Sequence, residues 1–445
     1  MTESLVQHKS QALSKSQLEQ LALDEADVGA ANILGMIVWL DRRYPGALIE
    51  QALNHIIEHE QALRLRLSRN ADGYTQYEQP HCRAEIAATD AAMTVEGFIE
   101  KCETDMASFS FALEAPLYDF SLFRLAASQG GRVGLRAFFH HAIIDGAGAG
   151  IFSHMLTRYC ALLYEGRALP RVAHRFAETE DREKFHPAAP AAEADEEFWR
   201  DFLEKNPPRL SKINPAAGVP SGPGPGRRLK KALPPEEGRR LNAGCEAEGI
   251  SPAVLFQAAL VIYLHGLNPD SGRINFGSMI SNRLGLKRKN MLGNFALELL
   301  HSVPIAAGDS VRNLYAAVKT AAVASYRHAR CSYEDILELA LGMYPGLESL
   351  RDVLFSYLPP MAEEGRAFDL YWLANYCPET SLEFTVFNLI DKDEFTLIFD
   401  YREDVFSPQE AERAMEEMLL ITMACLQNPL GRIQDMAGSR PAGGD

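Results

Sequence analysis

Two adjacent histidines followed by an aspartate–glycine pair form the part of this chain whose residue types could carry acid–base chemistry. The segment is His140-His141-Ala-Ile-Ile-Asp145-Gly146. A neutral imidazole can take a proton from an amine or alcohol that attacks a thioester, because its ordinary pKa is about 6.5. A carboxylate four residues further on needs a partner if it is buried, and an arginine distant in sequence would serve. The segment predicts His141 as a general base and Asp145 as a brace for its turn.

The surrounding sequence predicts a strand that leads into this turn and a helix that leaves it. Residues 132–141 resemble a strand, whose side chains alternate between its two faces, and the Asp-Gly pair is a turn signal before a predicted helix over 147–164. The alternation places His141 at the end of an apolar row made of Val133, Leu135, Ala137 and Phe139, with Arg136, Phe138 and His140 on the other face. We therefore expect the sheet to hold His141 rigidly, facing a cleft.

The rest of the chain alternates strand-like and helix-like stretches in both halves. A proline- and glycine-rich stretch at 206–227 predicts a linker without regular structure. Ser251 and Ser407, each followed by proline, predict helix starts, and the second has the capping-box glutamate at 410. We predict strands at 33–40, 62–68, 117–125, 273–280, 351–357, 382–389 and 394–400, and helices at 46–62 and 310–329. The pattern predicts an α/β protein with an N-terminal lobe over 1–185, a connection over 186–228 and a C-terminal lobe over 229–445.

Composition excludes several classes of protein. The 445 residues carry a formal net charge of -16, which argues against general affinity for nucleic acid or for anionic membranes. The longest apolar stretch, near 253–266, is too short to span a bilayer and predicts a buried helix. Seven scattered cysteines, an odd number, and a polar N-terminal stretch predict reduced thiols in the cytoplasm.

The segment at 140–146 resembles the HHxxxDG signature of the superfamily of condensation domains and CoA-dependent acyltransferases. The similarity continues over most of the chain, with a departure at 281–283, where SNR stands in place of the commoner SGR. The stretches that carry it are GALIEQALNHIIEHEQALRLRL at 46–67, FWRDFL at 198–203, NFGSMISNR at 275–283 and LGNF at 292–295.

This resemblance implies a fold and a chemistry. The fold would be two chloramphenicol-acetyltransferase-like lobes that form a pseudo-dimer with a tunnel at their interface. His141 would be the general base, Asp145 would pair with Arg283, Gly146 would keep the turn tight, and His140 would be structural. The donor would be acyl-CoA or an acyl-phosphopantetheine on a carrier protein acting in trans, and the acceptor a small amine or alcohol. We expect no tightly bound cofactor.

Further residues are weaker candidates for a role in the site. Ser356 and Tyr357, at a predicted strand end, could donate hydrogen bonds to an oxyanion. Lys287, Arg288 and Lys289 could bind phosphates or an acidic carrier. His55 and His59 have a spacing that can bind metal, but the HExxH order is not met, so we expect no metal site.

Two other functions fit the same signature. An epimerase-like member of this fold would exchange the Cα hydrogen of a carrier-bound amino acid without acyl transfer. A non-catalytic member would only dock carrier proteins. The sequence leaves open the acyl chain, the choice between amine and hydroxyl acceptor, the choice between CoA and carrier donor, and the oligomeric state.

Overall fold

The computed structural model of the chain describes residues 11–25, 30–71, 73–80, 82–126, 131–178, 190–283, 288–360, 369–388 and 393–437, and of residues 190–192 it describes the backbone alone. The described helices are α1 (Lys15–Glu25), α2 (Gly46–His59), α3 (Gln61–Arg64), α4 (Val95–Ala107), α5 (Gly146–Tyr164), α6 (Pro190–Lys205), α7 (Pro235–Glu248), α8 (Pro252–Leu267), α9 (Val311–Arg327), α10 (Tyr333–Met343), α11 (Pro408–Gln427) and α12 (Ile433–Ala437). The described strands are β1 (Ile33–Leu40), β2 (Leu65–Asn70), β3 (Gly73–Glu78), β4 (Ala88–Ala91), β5 (Tyr118–Leu125), β6 (Val133–His140), β7 (Gly226–Ala232), β8 (Arg273–Ile280), β9 (Leu297–Pro304), β10 (Val353–Leu358), β11 (Asp369–Trp372), β12 (Leu382–Phe387) and β13 (Thr396–Arg402).

The chain divides into two compact units that are interleaved in sequence. Unit 1 consists of Met1–His186, Ser281–Ala296 and Met361–Asn375. Unit 2 consists of Pro187–Ile280, Leu297–Pro360 and Tyr376–Asp445. Each unit therefore has its own sheet, and unit 1 takes two segments from the second half of the sequence.

The sheet of unit 1 has the strand order β11-β1-β6-β5-β4, and its central strands are buried on both faces. All eight residues of β1 and of β6 are buried: β1 is a continuous apolar run, whereas β6 buries Arg136 and His140 together with its apolar residues. Helix α4 covers one face, where the rings of Phe98 and Trp39 lie 5.8 Å apart. Helix α5 covers the other face, where the rings of Phe152 and Phe139 lie 5.1 Å apart. Strand β6 is thereby held rigidly between two layers.

The sheet of unit 2 has the strand order β7-β13-β12-β10-β8-β9, with β10 parallel to both of its neighbours. Helix α8 belongs to its core, since ten consecutive residues, Leu255–Leu264, are buried. This confirms the buried helix predicted from the apolar stretch. Among the described residues, no single helix is long and apolar enough to cross a membrane, and only the bent pair α7–α8 reaches that length and composition together.

Two predicted helix starts are confirmed by their side chains. The hydroxyl of Ser251 accepts a hydrogen bond from the Val254 amide. Ser407 and Glu410 form a complete capping box at the start of α11, with each side chain bound to the backbone of the other residue.

Other predictions about elements were wrong at particular residues. The helix predicted over 46–62 ends at His59, because Glu60 has extended backbone angles, and the next strand begins at Leu65 instead of residue 62. Strand β7 begins at Gly226, inside the stretch predicted to lack regular structure. Strand β6 ends at His140, so His141 does not continue its alternation and starts a 3₁₀ turn over His141–Ile143.

Candidate active site

The predicted catalytic segment connects β6 to α5 in unit 1. After the 3₁₀ turn, Ile144 is extended and Asp145 takes the N-cap position of α5. The amide of His141 donates a hydrogen bond to the carbonyl of Asn32 over 2.7 Å, which ties the turn to the start of β1. The turn is therefore fixed at both ends, by a sheet on one side and a helix cap on the other.

Asp145 is buried, with 1% of its surface exposed, and both carboxylate oxygens are fully engaged. The guanidinium of Arg283 donates to Oδ2 over 3.0 Å and to Oδ1 over 2.9 Å, in a bidentate pair. The amide of Gly148 donates to Oδ1 over 2.7 Å, as at a helix N-cap. The amides of Phe295 and Ala296 donate to Oδ2 over 2.8 and 3.1 Å. One carboxylate thus joins the start of α5 to two places in the Ser281–Ala296 segment.

Arg283 is positioned by an unusual backbone conformation just before it. Asn282 has φ of 43°, in the left-handed region that asparagine tolerates better than most residues and that glycine adopts freely. This accounts for the asparagine of the SNR sequence, where glycine is commoner. The guanidinium also lies 4.7 Å from the centre of the Phe295 ring and donates to the carbonyl of Gly293 over 3.1 Å.

His140 has a structural partner on each ring nitrogen. Its Nδ1 accepts a hydrogen bond from the amide of Ala142 over 3.0 Å, so this nitrogen carries no proton. Its Nε2 therefore carries the proton and donates it to the carboxylate of Asp24 over 2.8 Å. With 1% of its surface exposed, His140 caps the 3₁₀ turn and has no nitrogen left to accept a proton.

His141 differs from its neighbour in both exposure and contacts. The residue is half-buried, and no other described residue forms a hydrogen bond with its buried Nδ1. Burial lowers the pKa of this imidazole below its ordinary value, while the residue's own carbonyl and the nearby Asp145 carboxylate act in the opposite direction. A neutral ring at neutral pH follows, which is the state that a proton acceptor needs.

Close packing at the start of α5 requires a glycine at position 148. A Cβ atom at Gly148 would lie 2.8 Å from Cγ1 of Ile144 and 3.2 Å from both Arg283 and Asp145. Gly146, the glycine of the signature, occupies the first position of α5. The first helical turn comes this close to the buried ion pair because Gly148 has no side chain.

The remaining predicted site residues lie in different places. Ser356 and Tyr357 are in β10 of unit 2, where the Tyr357 hydroxyl donates to Asn388 over 3.3 Å. Lys289 is exposed, and Lys287 lies outside the described residues. Arg288 is buried at 5% exposure with its guanidinium 5.2 Å from the Phe295 ring, which corrects the expectation of a cation free to bind phosphate.

The two histidines of α2 have carbonyl partners. The Nε2 atom of His55 lies 2.7 Å from the carbonyl of Pro170, and Nδ1 of His59 lies 2.9 Å from the carbonyl of His55. Since a carbonyl only accepts, both nitrogens carry protons. Together with Glu58, these histidines bring potential metal ligands within 4.8 Å of one another. The two rings stack with their centres 4.0 Å apart, and the absence of a metal site stays a prediction.

Sequence reasoning missed a second buried carboxylate in unit 1. Glu60 is fully buried, its Oε1 lies 2.5 Å from Nδ1 of His174, and its Oε2 accepts from the Leu292 amide over 3.1 Å. The signal in the sequence was an acidic residue within the apolar pattern at the end of α2. Its partners lie 114 and 232 residues away, so the spacing alone could not reveal them.

Comparison with known proteins places this chain in one family. The sequence model of the condensation-domain family matches residues 33–441 of this chain. Surfactin synthase subunit 1 of Bacillus subtilis (strain 168) is 25% identical over 87% of this chain, and a plipastatin synthase of the same organism is 22% identical over 87%. Nonribosomal peptide synthetase SIDC of Beauveria bassiana (strain ARSEF 2860) is 25% identical over 69%. The chain spans only 11%, 15% and 6% of the lengths of these three relatives.

Solved structures agree on the fold. The first condensation domain of the CDA synthetase matches with a TM-score of 0.82 and 18% identity, over 96% of this chain and 98% of the other. A variant of the starter condensation domain of rhizomide synthetase RzmA in complex with C8-CoA matches with a TM-score of 0.80 and 16% identity, over 96% of each chain. These likenesses confirm the predicted α/β class with chloramphenicol-acetyltransferase-like lobes. With its HHAIIDG turn and the family model matched from residue 33 to residue 441, this chain belongs to the condensation-domain family of transferases.

Proposed function

We propose that this protein transfers an acyl group from a phosphopantetheine thioester to an amine, forming an amide, with His141 as the general base. The amine nitrogen attacks the thioester carbonyl carbon, and His141 takes the proton that the nitrogen loses. The new C–N bond forms, the C–S bond breaks, and the thiol leaves with a proton. Because Nδ1 of His141 is buried, Nε2 is the nitrogen that we expect to accept the proton.

The observation that carries this proposal is the contrast between the two adjacent histidines. His140 uses both ring nitrogens in structural hydrogen bonds, whereas His141 is half-buried, has a lowered pKa and is held in a turn fixed by Asp145. A base that is neutral and held rigidly needs little reorganisation when the proton moves.

The names of related proteins support the choice of substrates. The curated relatives include a nonribosomal peptide synthetase, and one solved neighbour is a variant starter condensation domain bound to C8-CoA and Leu-SNAC. An acyl-CoA donor and an aminoacyl thioester acceptor are therefore the first pair to test. A carrier protein acting in trans, presenting the acyl group on phosphopantetheine, is the second donor that we propose, and we propose a cytoplasmic location. We also propose that neither a metal ion nor a tightly bound cofactor takes part.

The test is a product assay with a panel of acyl-CoA donors and aminoacyl thioesters, with simple amines and alcohols as further acceptors, read by mass spectrometry. We expect His141→Ala to lower the rate by about 10²–10⁴-fold, the contribution of a positioned general base. His55→Ala removes a half-buried histidine of the same unit and is the matched control, with the rate expected to stay within about twofold of wild type. Full activity of His141→Ala would refute the assignment of the base.

The same assay separates the alternative functions. An epimerase-like activity would appear as exchange of the Cα hydrogen for deuterium in the aminoacyl thioester, without an amide product. A docking protein would bind a carrier tightly and give no turnover with any thioester. An ester product with the alcohol acceptors, and no amide, would be consistent with His141 as the base but would show that the acceptor is an alcohol and not the proposed amine.

A further inference from the structure

A short piece of chain connects the buried carboxylates of Glu60 and Asp145 in unit 1. Residues 291–296, here called the 291–296 segment, lie in the part of the sequence that joins unit 1 from the second half of the chain. Near its start the Leu292 amide donates to Glu60, and at its end the Phe295 and Ala296 amides donate to Asp145. The carboxylate that caps α5 therefore depends on backbone amides from a segment that Glu60 also holds.

Other contacts press the same segment against unit 1. The hydroxyl of Ser16 donates to the carbonyl of Asn294 over 3.1 Å. Gly293 has φ of 154°, and a Cβ atom there would lie 2.2 Å from Cδ2 of Phe176. The Phe176 ring also meets the Phe295 ring edge to face, with centres 5.0 Å apart. Because Phe176 follows His174 by two residues, the same stretch of chain supplies both the partner of Glu60 and the surface under the segment.

A buried carboxylate is costly unless it is paired and hydrogen-bonded, and Glu60 has both kinds of partner in His174 and the Leu292 amide. Glu60 has no exposed surface, and burial raises its pKa while the hydrogen bond from His174 lowers it. The backbone fixes this pair as well, since the amide of Gln61 donates to the carbonyl of His174 and the amide of His174 donates to the carbonyl of His59. A side chain held this firmly gives the Leu292 amide one defined acceptor position.

We propose that Glu60 is a positioning residue for this protein: together with His174 it fixes the Leu292 amide, and through the 291–296 segment it keeps Asp145 and the His141 turn in register. Glu60 does not touch the reacting atoms in this proposal. The effect on turnover rests on the proposed function, whereas the effect on the segment does not.

Two measurements test the proposal, and the first is independent of activity. Amide hydrogen exchange of the full-length protein, read on peptides that cover the 291–296 segment, should quicken by about tenfold or more in Glu60→Ala, because the loss of a charge-assisted hydrogen bond lowers the free energy of local opening. Glu60→Gln keeps the shape of the side chain and an acceptor oxygen but loses the charge. The exchange rate of the segment in this variant should therefore lie between those of the wild type and Glu60→Ala. If Glu60→Ala does not fold, Glu60→Gln and His174→Gln carry the test.

The second measurement separates positioning from general stability. In the product assay we expect kcat of Glu60→Ala to fall by about tenfold with KM values nearly unchanged, because the base is displaced and the substrates are still bound. Asp105→Ala is the matched control: Asp105 is a half-buried carboxylate of the same unit, bound to Lys101 and to Arg136, which also pairs with Asp119. It should leave both exchange over 291–296 and kcat within about twofold of wild type.

The outcomes can be told apart. Unchanged exchange over the segment in Glu60→Ala and Glu60→Gln overturns the proposal, whatever the activity. Faster exchange with unchanged kcat shows that Glu60 anchors the segment but does not position the base, and this also overturns it. If the wild-type protein forms no product from any thioester, the proposed function fails, and the exchange result alone then decides whether Glu60 anchors the segment.

Discussion

The two histidines of the signature show how one residue position decides the chemistry that an imidazole can carry. His140 lies at the last position of β6, donates a hydrogen bond to Asp24 and accepts one from the Ala142 amide. His141, one residue later, leaves the strand and keeps a neutral ring without a structural partner among the described residues on Nδ1. For His141 to take the hydrogen bonds of His140, the chain would have to shift by one residue. A shift of one residue would turn the side chains of the strand to its other face.

The lowered pKa of His141 predicts where activity is lost in acid. In the proposed mechanism the neutral ring is the active form, so we expect the rate to fall as the pH falls through the pKa of this residue. Because burial places that pKa below the ordinary value of about 6.5, kcat/KM should hold below pH 6.5 before it declines. A pH–rate profile of the wild-type protein checks this, with the residual activity of His141→Ala as the control that should lack the same inflection. An inflection assigned to His141 and lying above pH 6.5 would contradict the prediction.

The buried pair of Asp145 and Arg283 predicts a loss of stability that is separable from catalysis. Asp145→Ala leaves a guanidinium with 7% of its side chain exposed, and several amides, without their carboxylate, which should lower the free energy of unfolding by about 3–5 kcal/mol. His141→Ala should cost clearly less. Denaturant unfolding measures both, and Asp201→Ala, which breaks an exposed pair with Lys205, is the control expected to change stability by less than about 1 kcal/mol. Equal stability of the Asp145 and His141 variants would argue against the brace.

At the scale of elements, helix α5 begins against an ion pair and not in open solvent. Its N-cap is Asp145, and the third residue of the helix, Gly148, lies against Ile144 and Arg283. A helical glycine is ordinarily a weak point, since alanine is favoured there by about 1 kcal/mol. Because Gly148 has no side chain, the backbone at the start of α5 lies close to the buried carboxylate of Asp145.

This packing predicts opposite effects of one substitution at two helical glycines. Gly148→Ala should destabilise the protein by about 1–3 kcal/mol, the range for overpacking, because its Cβ would lie 2.8 Å from Ile144. Gly342→Ala, in α10, is the matched control, since no atom lies within 4 Å of its Cβ and helix propensity alone should stabilise the protein slightly. Thermal unfolding of both variants gives the answer, and a stabilised Gly148→Ala would show that the helix start relaxes freely.

Elements with uninterrupted local patterns were predicted well. Strands β1 and β8 have the predicted bounds, since each is a run of residues with a clear boundary at both ends. Strand β9 was not predicted, because Glu298 and His301 interrupt its apolar sequence and its place is set by pairing with β8. Strand β11 was also missed, since four residues carry little local signal and its partner β1 lies more than 300 residues earlier.

The candidate site was predictable to a different degree. The types and spacing of residues 140–146, and their resemblance to a known signature, directed attention to His141 and Asp145. Glu60, His174 and the amides of the 291–296 segment could not be found in this way, because backbone donors leave no mark on a sequence and these partners lie far apart along the chain.

At the scale of the whole molecule, the two compact units do not correspond to two continuous stretches of sequence. A boundary near residue 185 was predicted from the proline- and glycine-rich stretch that follows it, yet unit 1 also takes Ser281–Ala296 and Met361–Asn375 from beyond that point. The first of these segments supplies the partners of Asp145, and the second contains β11, which pairs with β1. The domain bounds 1–185, 186–228 and 229–445 stay a prediction about sequence regions.

This interleaving predicts that the first half of the chain does not fold alone. A fragment of residues 1–228 would leave Asp145 buried without Arg283 and would expose the edge of β1 that β11 covers. We expect it to aggregate or to lack a cooperative thermal transition, as measured by circular dichroism and gel filtration, with the full-length protein as the control. A monomeric fragment with a sharp transition would contradict this expectation.

The hydrogen bonds of Asp145 also set an order of events during synthesis on the ribosome. Its partners follow it by 138 residues in the case of Arg283, and by 150 and 151 residues in the case of Phe295 and Ala296. A nascent chain that has released the HHAIIDG turn must therefore wait for more than a hundred further residues before the turn can close, and translation adds about 5–20 residues per second. During those seconds, the nascent protein carries an unfinished turn that a chaperone or a protease could recognise.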